Sequence, residues 1–218
     1  MKLRITIDGP AGAGKSTVAR ELAHALGYGY LDTGAMYRAL ALAALRAGIA
    51  PEDAPGLMRL LSSVELRLEH GRLRLDGEDV ADEIRQPAVD RIVSLVAAHP
   101  AVREALVARQ RTIASEGGIV MDGRDAGSVV LPDAECKFFL TASLPARAGR
   151  RHRELLAQGV RVDLAEVERE MANRDAQDEM RAVGALKVPD GALVVDTTGL
   201  GVADVVDRLL RACRERGA

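Results

Sequence analysis

Residues Gly9-Pro10-Ala11-Gly12-Ala13-Gly14-Lys15-Ser16-Thr17 follow the spacing glycine, four residues, then Gly-Lys-Ser/Thr at every fixed position. That spacing binds phosphate: glycines let main-chain N–H groups turn onto phosphate oxygens, and a following helix adds partial positive charge at its start. Lys15 would reach the β- and γ-phosphates of a nucleotide, and the Ser16 hydroxyl would help hold Mg²⁺. The plain alternative is a glycine-rich turn without a ligand, but Lys and Ser stand in the right frame after the last glycine.

The other residues able to do chemistry are arginines and aspartates. The chain has only four lysines, so its positive charge is mostly guanidinium, which binds phosphate through two parallel hydrogen bonds. Arg38 lies one helical turn past Asp32-Thr33-Gly34. Arg124 and Asp125 follow directly on a strand ending at Asp122. Arg174, Asp178 and Arg181 are spaced i, i+4 and i+7, on one helix face. Taken singly, each is most often a solvated ion-pair partner. Two of the groups, however, sit at or just beyond the carboxyl ends of strands, where open α/β sheets bind ligands. Asp122 has the position of a second metal-organising carboxylate, with a turn aspartate as the alternative.

These groups need elements to hold them. Ile5-Thr6-Ile7 reads as a strand before the glycines, and Val18, Leu22 and Leu26 stripe a helix after them. Gly29-Tyr30-Leu31 reads as a second strand, with Thr33 placed to cap a helix that runs to Gly48. Pro51 to Pro55 is a turn, and a helix follows near Gly56 to Ser62. Val64 to Glu69 and Arg72 to Asp76 alternate with period two around a His70-Gly71 turn, as in a hairpin with one apolar face. Residues 56–87 read as an inserted lobe, with an edge hairpin of the main sheet as the alternative. Helices are expected over Ala88 to Ala98 and from Pro100 to Gly117-Gly118, and Ile119-Val120-Met121 reads as a buried strand. Then come a strand at Lys137 to Leu140, an arginine-rich helix at Pro145 to Gln158 and a charged helix from Leu164 to about Met180. A strand at Ala192 to Asp196 and a helix striped by Val202, Val205, Leu209 and Cys213 close the chain. Alternation of strand and helix predicts an α/β fold of three layers, a P-loop NTPase architecture with a central parallel sheet plus a small antiparallel, hairpin-containing lobe.

A formal net charge of −2 leaves no global field for nucleic acid or an anionic membrane. No Trp, two Phe and three Tyr argue against a surface that stacks unpaired bases. Cys136 and Cys213 lack metal-ligand spacing and read as buried free thiols in a reducing compartment. The amino terminus has no signal-peptide pattern and the most apolar run, Ala39 to Leu45, is too short to span a bilayer. A cytoplasmic protein is expected, and a monomer, since no helix shows a spare apolar stripe.

Three stretches together resemble bacterial cytidylate kinases: Ile7 to Thr17, Leu31-Asp32-Thr33-Gly34-Ala35-Met36-Tyr37-Arg38, and Asp122-Gly123-Arg124-Asp125. The stretch Ala101-Val102-Arg103-Glu104-Ala105-Leu106 is similar too, and the likeness covers nearly the whole chain, hairpin included. It implies transfer of the γ-phosphoryl group of ATP to CMP or dCMP, with Mg²⁺. It implies one kinase domain, with residues 1–55 and 88–218 as core, 56–87 as a monophosphate-binding lobe and a lid at about 145–185. By the resemblance Arg38, Arg124 and Arg181 grip the acceptor phosphate, and Thr33, Arg103 and Asp125 read the cytosine edge. Ser94, Arg174 and Asp178 face the sugar, and Arg147, Arg150 and Arg151 lie in the lid over ATP. Thr33 stands where some relatives have Ser, and Gln177 where some have Arg. The rivals are a phosphate-loop kinase for uridylate, shikimate or dephospho-coenzyme A, and a GTPase switch. The chain has no Asn-Lys-x-Asp run, which guanine-selective switches carry.

Overall fold

The computed structural model describes residues 2–69 and 72–218. The chain runs β1 (Arg4–Asp8), α1 (Lys15–Leu26), β2 (Gly29–Asp32), α2 (Thr33–Ala47), α3 (Ala54–Ser63), β3 (Leu66–Glu69), β4 (Arg72–Leu75) and β5 (Glu78–Asp79). It continues through α4 (Pro87–Val96), α5 (Pro100–Ile113), β6 (Ile119–Gly123), β7 (Cys136–Thr141), α6 (Leu144–Ala157), α7 (Leu164–Glu179), β8 (Leu193–Asp196) and α8 (Val202–Arg214). A 3-10 turn at Glu83–Arg85 and a π-helical turn at Ala126–Val130 interrupt this order.

The main sheet has the order β2-β6-β1-β7-β8, and β1 pairs in parallel with both β6 and β7. β1 is therefore central, and its carboxyl end opens between two parallel neighbours. Its alternate residues face opposite ways. Ile5 and Ile7 enter a core with Val18 and Leu22 of α1, Phe138 and Leu140 of β7, and Val205 and Leu209 of α8. Thr6 and Asp8, equally buried, face the other side. Truncating a side chain such as Phe138, which is 1% exposed, costs about 3–5 kcal/mol by lost burial and the cavity left behind. Cys136 and Cys213 are both buried in this same core.

The chain divides into two compact units, Met1–Tyr30 with Gly117–Ala218, and Leu31–Glu116. The second contains residues 56–87 and adds α2, α4 and α5 around them. Its small sheet is antiparallel, in the order β3-β4-β5, with Leu66 opposite Leu75 and Leu68 opposite Leu73. The expected hairpin thus forms, while its His70-Gly71 turn lies outside the described residues. The third strand, Glu78–Asp79, is too short and too charged to show a period of two.

Two expectations need correction. Asp32, not Thr33, caps α2: its side chain accepts a hydrogen bond from the Ala35 amide at 2.9 Å, and Thr33 is the first helical residue. An extended Asp satisfies a free amide of the first turn, which Thr33 can no longer do from inside the helix. The strand expected at Lys137 to Leu140 runs one residue further at each end, so Cys136 opens β7.

Candidate active site

The loop from Gly9 to Gly14 joins β1 to α1, so its amides converge at the carboxyl end of the central strand. Gly9 is obligatory there: a Cβ would lie 1.9 Å from the Leu140 carbonyl oxygen, and φ is +146°. Gly12 and Gly14 also take positive φ, and Gly14 is the N-cap of α1. No side chain caps that helix start, which leaves its amide donors directed outward. Lys15 is buried, and its Nζ donates to the Pro10 carbonyl at 2.7 Å, arching the side chain over the loop. Ser16 donates to Asp122 Oδ2 at 2.8 Å, and Tyr30 donates to Asp122 Oδ1 at 2.8 Å. The carboxylate expected at the end of β6 is therefore oriented from two sides beside the Ser16 hydroxyl.

Beyond β6, Arg124 Nε donates to Asp178 Oδ2 at 2.7 Å, and Arg181 donates to Asp178 Oδ1. Asp178 is 1% exposed and holds two guanidinium groups side by side. Burial pushes its carboxyl pKa up, but Arg124, Arg181 and Arg174 outweigh that and hold it below the ordinary range. Burial likewise works against the charge on Arg124, and Asp178, Asp175 and Asp122 more than restore it. Asp125 is buried in the adjoining turn.

The arginines expected in a lid divide. Arg147 donates to the Ala142 and Ala11 carbonyls and pairs with Asp175 at 2.6 Å. Arg150 donates to the Gly12 carbonyl and to both oxygens of Thr197. Arg151 instead reaches Glu154, one turn along α6, at 3.3 Å. A cleft of about 330 Å³ beside Pro10 is lined by Phe139, Thr141, Arg147, Asp175 and Lys187 among others. A larger hollow of about 540 Å³ in the second unit, near Met36, Arg67 and Arg109, borders none of the candidate residues.

The second unit holds its own set. Arg38 donates to the Ile84 carbonyl at 2.8 Å and pairs with Asp90 at 2.5 Å. Arg103, 2% exposed, donates to the Ala97 carbonyl, and its guanidinium lies 5.4 Å from the Tyr37 ring centroid. Thr33 and Ser94 are both buried.

Of the residues expected from sequence, Lys15, Ser16, Asp122, Arg147 and Arg150 are joined to the loop or to one another by hydrogen bonds. Arg124, Asp178 and Arg181 form a second cluster, with Arg174 close enough to act on Asp178. Reading the sequence missed Tyr30, Thr197, Asp175 and Asp90. None carries a local signal: the Tyr30–Asp122 bond spans 92 residues and the Arg150–Thr197 bond 47.

A parallel sheet with a glycine loop after its central strand and guanidinium clusters at the carboxyl end defines a phosphate-loop kinase. Solved structures agree on the fold: a protein from Eubacterium ventriosum superposes with a TM-score of 0.56 at 14% identity, covering 99% of each chain. Shikimate kinase from Acinetobacter baumannii gives 0.50 at 15% identity, covering 100% of this chain and 96% of its own. The sequence is more specific. The family model for cytidylate kinase matches residues 5–215, so the chain belongs to the cytidylate kinase family. It is 54% identical to the cytidylate kinase of Symbiobacterium thermophilum, with 98% of this chain and 96% of that one covered. It is 55% identical to that of Pelotomaculum thermopropionicum, with 94% and 93% covered.

Proposed function

We propose that the chain transfers the γ-phosphoryl group of ATP to CMP and dCMP by in-line displacement, giving the diphosphates. The observation that carries this reading is the pairing of Arg124 with Arg181 on buried Asp178. The glycine loop already supplies amides for one phosphate chain. A second guanidinium cluster in the same unit suits a second phosphate, that of a phosphorylated acceptor.

Such an acceptor is already an anionic nucleophile, so no general base is needed. Alignment and neutralisation of charge do the work. Lys15 and Arg150 serve the donor phosphates. Arg147 braces the loop through the Ala11 carbonyl, and Arg151 belongs to the same lid, taken as residues 145–185. Arg124, Arg181 and Arg38 serve the acceptor phosphate, Arg174, Asp178 and Ser94 its sugar, and Thr33, Arg103 and Asp125 its base. Cytosine offers an exocyclic amine, which a carboxylate accepts. Uracil has a carbonyl there, and opposing a buried carboxylate to it lowers affinity. The 56–87 lobe is assigned to the monophosphate.

Ser16 and Asp122 fit a magnesium ion: a hydroxyl and a carboxylate are hard oxygen donors, here joined by one hydrogen bond. Among the described residues no group of three or more His, Cys, Asp or Glu could hold a metal by itself, so phosphate oxygens and water would complete the shell. Bound there, the ion would neutralise charge on the β- and γ-phosphates. The protein works as a monomer in the cytoplasm. Among the described residues no helix is long and apolar enough to cross a membrane.

The test is ADP formation from ATP with CMP, dCMP, UMP, GMP and shikimate as acceptors. CMP and dCMP give the highest kcat/KM. Preference for another acceptor, or hydrolysis indifferent to acceptor, overturns the assignment.

A further inference from the structure

Asp8 is the last residue of β1 and stands immediately before Gly9. It is fully buried, and it lies on the face of the strand opposite Ile7. Both carboxylate oxygens are engaged by main-chain amides across 118 and 119 residues: Oδ1 accepts from Ala126 at 2.8 Å, and Oδ2 from Gly127 at 2.7 Å. Those amides open the π-helical turn that follows Arg124-Asp125. The approach is close: a Cβ on Gly127 would lie 2.6 Å from Thr6 Oγ1 and 3.2 Å from Asp8 Oδ2.

A buried carboxylate is an expensive way to satisfy two amides. Burial pushes this one up to about 7, against the two N–H groups and Lys15 that favour its charge. What the carboxylate supplies that a cheaper residue does not is a flat two-point fork. One accepted bond would let the turn swivel, whereas two parallel bonds set its direction as well as its distance. The fork sits between the start of the phosphate loop and the segment carrying Arg124 and Asp125, so it ties one to the other.

We propose that Asp8 is a positioning residue for acceptor recognition, locking residues 124–127 to the root of the phosphate loop so that Arg124 and Asp125 leave β6 in one direction. This rests on the reading that Arg124 and Asp125 bind the acceptor. Asn has the same shape but turns one acceptor into a donor facing an amide.

The experiment is steady-state kinetics of Asp8→Asn, with folding checked by melting temperature and active sites by titration. KM for CMP rises about tenfold and the CMP-to-UMP ratio of kcat/KM falls about fivefold, while KM for ATP moves less than about twofold. Gly127→Ala, which disturbs the same contact from its other side, shifts the same constants, and it carries the test should Asp8→Asn not fold. The double variant raises KM for CMP by less than the product of the single effects, since both changes strike one contact. A lower melting temperature with KM for CMP and the CMP-to-UMP ratio unchanged per active site overturns the inference. Asp125→Ala separates the two readings. If it lowers the CMP-to-UMP ratio and Asp8→Asn does not, the positioning role falls and base reading by Asp125 stands. If neither variant moves the ratio or KM for CMP, the acceptor reading fails and the inference with it.

Discussion

The two compact units hold their guanidinium groups by different means. In the unit with the phosphate loop, carboxylates take most of them: buried Asp178 holds Arg124 and Arg181, and half-buried Asp175 holds Arg147, while Arg150 rests on oxygens of Gly12 and Thr197. In the unit formed by residues 31–116, neutral groups share the task. Arg103 rests on the Tyr37 ring and the Ala97 carbonyl, and Arg38 divides between Asp90 and the Ile84 carbonyl. The first arrangement, at Asp178, commits one buried negative charge to a pair of cations. Removing one member strands the other, so the network is strong only when whole. In the second arrangement a ring face and main-chain carbonyls, which carry no net charge, supply part of the contact.

That contrast orders the expected effects of mutation. The largest is at Lys15, whose ammonium donates to the Pro10 carbonyl of the loop in the first unit. Lys15→Met lowers turnover on the order of a thousandfold or more while the melting temperature holds, because the lost group acts on transferring charge rather than on packing. Near-normal turnover would remove Lys15 from the mechanism. Next comes Asp178→Asn, which leaves Arg124 and Arg181 with a neutral partner. Urea denaturation loses about 3 kcal/mol, and KM for CMP rises about tenfold or more. Arg103→Lys is milder: the ammonium keeps the charge but loses the planar face over Tyr37, costing about 1 kcal/mol in stability and about fivefold in KM for CMP. If Arg103→Lys proves more damaging to stability than Asp178→Asn, the contrast between the units is reversed.

The smallest effect tests the rule on a partly exposed pair in the first unit. Arg4 bonds Glu135 through its side chain and its main-chain amide. Burial alone would raise the Glu135 pKa, but these bonds outweigh it and hold it at about 2, below the ordinary 4.5. A carboxyl depressed in the folded state favours folding above its unfolded value, and that advantage is lost as pH falls toward the folded value. Wild type therefore exceeds Arg4→Ala in urea midpoint at pH 6, and the gap closes on titration from about pH 5 to about pH 2. The gap is small because water screens the pair. A gap that widens toward acid would show that Arg4 works through packing instead.

The phosphate loop was legible because its function lies in contiguous residues, Gly9 to Thr17, whose glycines and lysine act through local geometry. The parallel sheet was legible because Ile119-Val120-Met121 and Lys137 to Leu140 are apolar runs between helical stripes. Legibility ended where a residue acts through a distant partner. Asp178 shows it: helical spacing put it on a face with Arg174 and Arg181, but nothing local placed Arg124, 54 residues away, on its other oxygen. Thr33 shows the reverse, a capping role that went to its neighbour Asp32 once the helix boundary formed. The π-helical turn at Ala126–Val130 had no periodic signal, and its first two amides bond Asp8, 118 and 119 residues away.

By itself, the chain's order of residues determined the strand–loop–helix that receives phosphate, the alternation that builds a parallel sheet, and membership of a kinase family through motifs kept in sequence. These follow from short-range rules: backbone conformation, side-chain period and residue spacing. Only the folded molecule decided which carboxylate holds which arginine, that Tyr30 and Ser16 share Asp122, and that Asp8 grips the turn beyond β6. Those choices depend on which strands become neighbours, and a hydrogen bond a few ångströms long is set by that packing, not by separation along the chain.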